Sequence, residues 1–324
     1  MLECKYRVPA PNSPCIHYIQ PLNEGECGFC KGPFYFRCIE SMKYRIPSFS
    51  ASAFTDWMQC KLKFYYPRII GLRIKPIFTP RAIACGSIWD AFISGETNLD
   101  ILATKYAITD IERAKINALI LASQELGIIW RPGETQCKIK FNVLDNIVVG
   151  YLDKVLASGD GFEEHKLSSR PDYYSLSNIH QQCGTYLHAN PEWEYVDMMI
   201  ARLPLLETGK GRMASETTEE FQRRCYDDIL TRPAFYFIGY DKKTHLYGKR
   251  FWRNEFDLDH IVKTYRWGMQ ELRDTIDRGS WYGNKFACEK PHMCQWMDIC
   301  KTGALNDEVY EKVDPNNRDE LSDR

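Results

Sequence analysis

The chain has 324 residues, a formal net charge of −1, and 44% hydrophobic and 13% aromatic residues. This is enough apolar material for one large domain and a small one, and it excludes a wholly disordered chain. The near-neutral charge also excludes nucleic-acid binding through overall positive charge, so any such binding needs a local basic surface.

The first 45 residues are rich in cysteine and proline, and Cys27-Gly28-Phe29-Cys30 has the spacing of a metal-binding knuckle. So short a segment cannot build a core unaided. We therefore predict a small Zn²⁺-binding module over residues 1–45, which is also a candidate docking site for a protein partner. The alternative is a set of buried free thiols. The predicted zinc ligands are Cys15, Cys27, Cys30 and Cys38.

No apolar leader or membrane-spanning run is evident in the sequence, and thirteen cysteines are present. We expect no membrane association and a reducing compartment, either the cytoplasm or, for a viral chain, the host-cell cytoplasm. In that environment clustered cysteines indicate metal ligands rather than disulfides.

The main domain is predicted over residues 46–300, with Ser50 as the cap of its first helix. We expect an α/β fold in which helices flank a mixed central sheet. An acidic segment over 301–324 is predicted to be a mobile tail. The predicted helices are 50–66, 82–95, 108–127, 176–189, 216–230 and 257–278, and the predicted strands are 135–144, 146–157, 161–167, 193–203, 234–240 and 245–255.

The most informative stretch is a predicted hairpin over residues 146–167. The turn Ser158-Gly159-Asp160-Gly161 would bring Asp153 close to Glu164. Alternate residues of a strand share a face, so Lys166 should point the same way as Glu164, and His165 the other way. Two carboxylates at one point require a cation such as Mg²⁺ or Mn²⁺, and a lysine beside them suits phosphodiester hydrolysis. The alternative is a solvated hairpin with surface charges.

The order Gly150-x-x-Asp153, Glu164-x-Lys166 and Gln182-x-x-x-Tyr186 resembles the RecB-like exonuclease branch of the PD-(D/E)XK nuclease superfamily. The resemblance implies a restriction-endonuclease-like core in which Asp153 and Glu164 hold the metal and Lys166 acts on water. It makes the carbonyl of His165 a further candidate ligand. The helical face with Gln182 and Tyr186 would look toward the metal and the DNA strand.

This family also has a Gly-x-x-x-His helix whose histidine binds metal. The matching stretch here is Gly86-Ser87-Ile88-Trp89-Asp90, in which an aspartate stands at the position of the histidine. A carboxylate is still a hard oxygen ligand for Mg²⁺ or Mn²⁺. Asp90 is therefore either a metal ligand or an ordinary polar residue of the helix.

Three cysteines follow the main domain, and one lies near its start. Iron–sulfur members of the same nuclease branch have this layout, so the resemblance implies a 4Fe-4S cluster that joins the two ends of the domain. Zinc in the same four thiolates is the alternative. The four ligands implied are Cys60, Cys288, Cys294 and Cys300.

Residues 61–81 contain six basic residues and no acid, with aromatic residues at 64–66. Outward-facing basic groups could follow phosphates while the aromatics pack. Together these patterns predict a DNA nuclease, most simply an exonuclease on single-stranded DNA or DNA ends. A nucleic-acid-binding or assembly subunit with little activity and an RNA-cleaving enzyme are the alternatives, and the oligomeric state is not predicted.

Overall fold

The structure is a computed structural model that describes residues 22–23, 26–27, 50–143, 146–171, 181–208, 215–288 and 293–313. Their strands are β1 Leu22–Asn23, β2 Glu26–Cys27, β3 Leu72–Ile74, β4 Gly133–Val143, β5 Asn146–Leu156, β6 Gly161–Ser168, β7 Tyr195–Arg202, β8 Lys249–Trp252 and β9 Tyr310–Lys312. Their α-helices are α1 Ala51–Gln59, α2 Lys61–Tyr65, α3 Arg81–Ile93, α4 Leu99–Lys105, α5 Asp110–Glu125, α6 Gln181–Ala189, α7 Thr218–Thr231, α8 Pro233–Tyr236, α9 Leu258–Arg278 and α10 Met297–Thr302. None of these helices is long and apolar enough to span a membrane.

A five-stranded mixed sheet in the order β4-β5-β6-β7-β8 is the centre of the fold. Strand β6 is antiparallel to β5 and parallel to β7, and β8 is antiparallel to β7. The predicted α/β class, with a mixed sheet flanked by helices, is confirmed. The chain divides into two compact units, one from residues 1–75, 140–150 and 259–324 and the other from 76–139 and 151–258.

In the unit formed by residues 76–139 and 151–258, apolar side chains pack on both faces of the sheet. On β7, Met199 and Ala201 belong to a core with helices α3, α5 and α7, whereas Met198 and Ile200 belong to a second core with α6. A strand buried on both faces is apolar at consecutive positions, which explains the sequence Tyr195–Ala201.

In the other unit, helix α9 packs an apolar stripe against aromatic residues of α1. The ring of Phe54 lies 4.4 Å from that of Tyr265, measured between centroids. Ser50 caps α1 by accepting a hydrogen bond from the amide of Ala53, as predicted. The buried residues of α9 recur at helical spacing: Ile261, Tyr265, Gly268, Met269, Leu272, Thr275 and Ile276.

Gly268 allows this close approach, because a Cβ at that position would lie 2.4 Å from a ring carbon of Phe54. We expect Gly268→Ala to lower the free energy of unfolding by about 1–2 kcal/mol, since overpacking outweighs the better helix propensity of alanine. Gly86 in α3 is the control, because a Cβ there meets no atom within 4 Å. Gly86→Ala should instead stabilise by about 0.5–1 kcal/mol. Urea unfolding of both variants compares the two effects.

One sequence expectation about an element is wrong. The stretch 234–240 does not form the first strand of a hairpin; Pro233 begins the short helix α8, and Phe237 makes an isolated bridge to Ala201. Proline fits the first turn of a helix because its missing N–H has no partner there. The segment 301–324, predicted as a mobile tail, is described only as far as residue 313; in that part β9 pairs with β3, and Tyr310 is buried and stacked on Trp296.

The basic stretch 61–81 also differs from expectation. Phe64, Tyr65 and Tyr66 are buried, as predicted, but Lys61 and Arg68 are buried as well rather than facing outward. Other basic groups of the stretch are paired within the protein, which reduces the charge available to phosphates. The pairs are Lys61–Glu271, Lys63–Asp56, Arg73–Glu311 and Arg81–Glu112, and Lys75 donates to the carbonyl of Asp307.

Candidate active site

The hairpin of β5 and β6 brings the first two predicted site residues together. Lys154 pairs with Glu163 and Val155 with Phe162, and this antiparallel pairing places Asp153 beside β6, within electrostatic range of Glu164. Gly159 allows the connecting turn, because it adopts a φ of 78°, in the left-handed region. The Oδ2 atom of Asp153 accepts a hydrogen bond of 2.7 Å from the amide of His165, which ties the two strands at this point.

The two faces of β6 carry different chemistry, as the alternation of side chains predicts. The ammonium of Lys166 donates to Oε1 of Glu164 on one face. On the other face, Nε2 of His165 lies 3.1 Å from Oε2 of Glu163. The solvated hairpin is therefore not observed, because Glu163 and Glu164 are both at most 1% exposed.

The surroundings of Glu164 oppose ionisation of its carboxyl group. Burial raises the pKa of its carboxyl, the neighbouring Asp153 raises it further, and Lys166 opposes the shift. One of its oxygens, Oε2, is buried and has no hydrogen-bond partner among the residues that the structure describes. A buried carboxylate oxygen without a partner costs free energy, so a cation bound at this position would stabilise the protein.

Lys166 responds to the same charges in the opposite sense. Burial alone would lower the pKa of its ammonium, but Glu164 and Asp153 outweigh burial and hold the pKa above its ordinary value. The raised pKa of Glu164 favours a neutral acid, whereas its contact with Lys166 favours a carboxylate. The ion pair is the better description, since Lys166 stays positive and a proton on Glu164 would weaken their bond.

Asp90 joins this group from helix α3. Its pKa is raised from 3.8 to about 6, mainly by burial and then by the charge of Asp153, while His165 and Lys166 oppose the shift. Its Oδ2 accepts a hydrogen bond of 3.3 Å from Gln136. The carboxylate at the position of the family histidine therefore lies within electrostatic range of Asp153, which favours its interpretation as part of the site.

Helix α6 places Gln182 and Tyr186 on one face, as predicted. Nε2 of Gln182 donates to the Tyr186 hydroxyl at 3.1 Å, and that hydroxyl donates to the carbonyl of Tyr151 at 3.0 Å. The ring of Tyr186 is buried, so it does not face a bound strand. The pair instead holds β5 two residues before Asp153.

The donor set fits a divalent cation chemically. Asp90, Asp153 and Glu164 provide three hard oxygen donors against one ammonium, so the site has an excess of negative charge. As the side chains stand, however, no group of three or more His, Cys, Asp or Glu residues in the described ranges is arranged to hold a metal ion. Binding therefore requires the carboxylates to turn toward the ion.

This excess charge makes stability depend on pH. Because folding raises the pKa of Asp90 from 3.8 to about 6, stability is lost as the pH rises through this interval. A shift of about two pKa units corresponds to at most about 3 kcal/mol. In metal-free protein at pH 8, we expect Asp90→Asn to unfold at a higher temperature than the wild type, with little difference at pH 4. A lower melting temperature for the variant at pH 8 would contradict this expectation.

The four cysteines of the predicted iron–sulfur site belong to one unit and are free thiols. The amide of Asn284 donates to Sγ of Cys60 at 3.3 Å, and the amide of Cys294 donates to the carbonyl of Cys288 at 2.7 Å. These bonds bring the segment after α9 onto the junction of α1 and α2, although more than two hundred residues separate them in sequence.

The thiols also affect one another electrostatically. The pKa of Cys300 is raised to about 11, mainly by burial, with smaller contributions from Cys294, Cys60 and Cys288 and an opposing hydrogen bond to Tyr66. Burial likewise raises the pKa of Cys294, with contributions from Cys60 and Cys288. Four thiols within electrostatic range of one another suit a metal or cluster chemically, because binding would convert them to thiolates. As with the carboxylates, no three of them in the described ranges are arranged to hold a metal as the side chains stand. The predicted zinc ligands Cys15, Cys27, Cys30 and Cys38 have side chains outside the described residues.

Sequence reasoning missed a second charged cluster, on the opposite face of β6. Arg131 donates to Glu163 at 2.7 Å and to Asp197 at 2.6 Å, and Arg250 donates to both oxygens of Asp197 at 3.0 and 2.9 Å. Asp197 stands in the apolar run of β7, and a buried acid in such a run needs a basic partner. The position of Asp197 in an apolar run therefore predicts a basic partner, but the sequence does not identify Arg131 and Arg250 as the partners.

Comparison with known proteins gives little further information. No family model and no curated protein matches the chain. One solved structure that matches is a protein from Eubacterium rectale named "Putative exonuclease", with 10% sequence identity and a TM-score of 0.45. The match covers 91% of this chain and 98% of that one. At this distance, function must be inferred from the side chains of the site.

Proposed function

We propose that the protein is a nuclease that depends on Mg²⁺ or Mn²⁺ and hydrolyses phosphodiester bonds. The observation that supports it is the proximity of Asp153 to the buried Glu164, to which Lys166 is bonded. The sequence resemblance to RecB-like exonucleases agrees with this geometry. Single-stranded DNA or DNA ends are the substrates we favour.

The residues present would hold the metal as follows. Asp153 and Glu164 are the principal ligands, and Asp90 and the carbonyl of His165 are the further candidates. When bound, the cation would neutralise charge on the phosphate and lower the pKa of water. Oε2 of Glu164, which is buried without a hydrogen-bond partner among the described residues, is the oxygen that we expect to bind the cation.

Lys166 has a defined part in this chemistry. Because Glu164 and Asp153 hold the pKa of its ammonium above the ordinary value, Lys166 remains a proton donor near neutral pH. It can therefore orient the attacking water and stabilise the negative charge that develops on phosphorus. Tyr186, through its bond to the carbonyl of Tyr151, positions the strand that carries Asp153.

The four cysteines would bind a 4Fe-4S cluster in the same protein. The support is their mutual electrostatic influence and the division into one early and three late residues. The cluster would join the segment after α9 to the junction of α1 and α2. Zinc in the same thiolates predicts a colourless protein instead, whereas thiolate-bound iron–sulfur clusters absorb broadly in the visible range.

The test is a substrate panel with purified, anaerobically prepared protein. Labelled single-stranded DNA, duplex DNA and RNA are incubated with Mn²⁺, with Mg²⁺ or with EDTA. We expect stepwise shortening of single-stranded DNA that EDTA abolishes. Shortening of RNA alone would favour an RNA-cleaving enzyme. Tight binding without cleavage would favour a binding subunit, an alternative suggested by the aspartate at position 90.

A further inference from the structure

The ends of β6 and β7 form a second basic feature beside the proposed active site. These strands are parallel, with Lys166 paired to Ile200 and Ser168 to Arg202. The amide of Leu203 donates to the carbonyl of Ser168 at 3.1 Å, so the pairing continues to the strand ends. Because side chains alternate, Arg202 lies on the same face of the sheet as Lys166 and Glu164.

The guanidinium of Arg202 is held in a fixed position. It lies 4.1 Å from the ring centroid of Phe235, and its Nε donates to the carbonyl of the same residue at 3.0 Å. Arg232 lies 4.6 Å from that centroid, and the ring remains 39% exposed. These contacts leave the Nη groups of Arg202 available to a ligand and reduce the entropy that binding would cost.

Arg170 follows β6 at the same end. Its amide donates to the hydroxyl of Ser168 at 3.0 Å, and its side chain is exposed. Within the described ranges, neither Arg170 nor Arg202 has a carboxylate partner, whereas Arg113, Arg224 and Arg232 all have one. Two guanidiniums that have no acidic partner among the described residues, one of them stacked on a partly exposed aromatic ring, suit a polyanion.

We propose that Arg170 and Arg202 bind backbone phosphates of the nucleic-acid strand next to the bond that is cut. This inference rests on the proposed nuclease function and adds the path of the strand. Two residues along β6 span about 7 Å, so Arg202 lies close to Lys166 along the same face of the sheet. A phosphodiester near Lys166 would therefore place a neighbouring phosphate near Arg202, and the strand continues over the ends of β6 and β7.

The test measures binding of a labelled single-stranded oligonucleotide in EDTA, by fluorescence anisotropy over a range of KCl concentrations. For each arginine replaced by alanine, we expect the slope of log K against log salt to become shallower by about 0.7. Arg170→Ala/Arg202→Ala should bind about tenfold more weakly, because two charge-assisted contacts are lost. The same variant should raise KM for cleavage and leave kcat nearly unchanged.

The matched control is Arg113→Ala, since Arg113 is paired with Asp110 and Asp100 on α5 and α4. It should keep the wild-type slope. Arg202→Ala also removes the contact with Phe235, which could affect folding. Arg170→Ala removes only an exposed side chain, so a weaker affinity in that variant reports phosphate binding rather than folding. A double variant with wild-type slope and KM, while the wild type cleaves DNA, overturns the strand path alone. A wild type that neither binds nor cleaves nucleic acid overturns the nuclease function as well.

Discussion

Lys166→Ala is expected to lower the rate of phosphodiester cleavage by about 10²–10³-fold, because it removes the ammonium that donates to the buried carboxylate Glu164. The loss should appear in kcat, since Lys166 stabilises charge that develops during the reaction. Single-turnover cleavage of labelled single-stranded DNA measures the effect directly.

Two further variants are the controls for Lys166→Ala. Lys166→Arg keeps the positive charge and should retain part of the activity, although the larger planar group does not fit the same contact. Lys105→Ala removes an exposed lysine of α4 in the same unit and should be neutral. Equal cleavage by the wild type and Lys166→Ala would exclude this site as the source of the activity.

The second large effect concerns the four cysteines. Replacing Cys294 and Cys300 by alanine is expected to abolish the visible absorbance of the anaerobically purified protein. It should also destabilise the unit that contains them by several kcal/mol, because the free energy of metal binding contributes to folding and reaches the order of 10 kcal/mol in structural sites. Iron and zinc analysis, visible spectra and thermal unfolding measure these outcomes.

Cys85→Ala is the control for removing a buried thiol. Cys85 belongs to the core formed by α3, α5 and α7, away from the other four in sequence and in a different unit. Cys85→Ala should lower the free energy of unfolding by about 1 kcal/mol, because it leaves a small cavity, and it should leave the visible spectrum unchanged. A wild type that contains only zinc would replace the iron–sulfur assignment by a zinc site, and a wild type with no metal would remove both.

Much of the site could be predicted because its chemistry is local in sequence. The alternation of side chains along β6 separates Glu164 and Lys166 from His165, and the turn at Gly159 returns β6 alongside β5, which brings Asp153 close to Glu164. The spacing of Gln182 and Tyr186 likewise places them on one helical face. Each of these relations depends on backbone geometry over a few residues.

Predictions that required long-range partners were less complete. The composition of the stretch 61–81 predicts phosphate binding. In the structure, however, its basic groups pair with Glu271 and Glu311 and with the carbonyl of Asp307, each more than two hundred residues away in sequence. The role of Tyr186 changed for a similar reason, because its hydroxyl bonds to β5 and its ring is buried. Pairing across such distances leaves no regular pattern in sequence.

The sequence by itself determined the α/β class, the hairpin that carries Asp153, Glu164 and Lys166, and which residues share a face, since periodicity and turn chemistry are local. Only the tertiary structure showed that Glu164 is buried with an unpartnered oxygen, and that Asp90 shares its electrostatic environment. It also placed Arg202 beside the strand of Lys166. Burial and charge depend on which distant segments pack together, and that packing decides whether a group of charges is a solvated surface or a site.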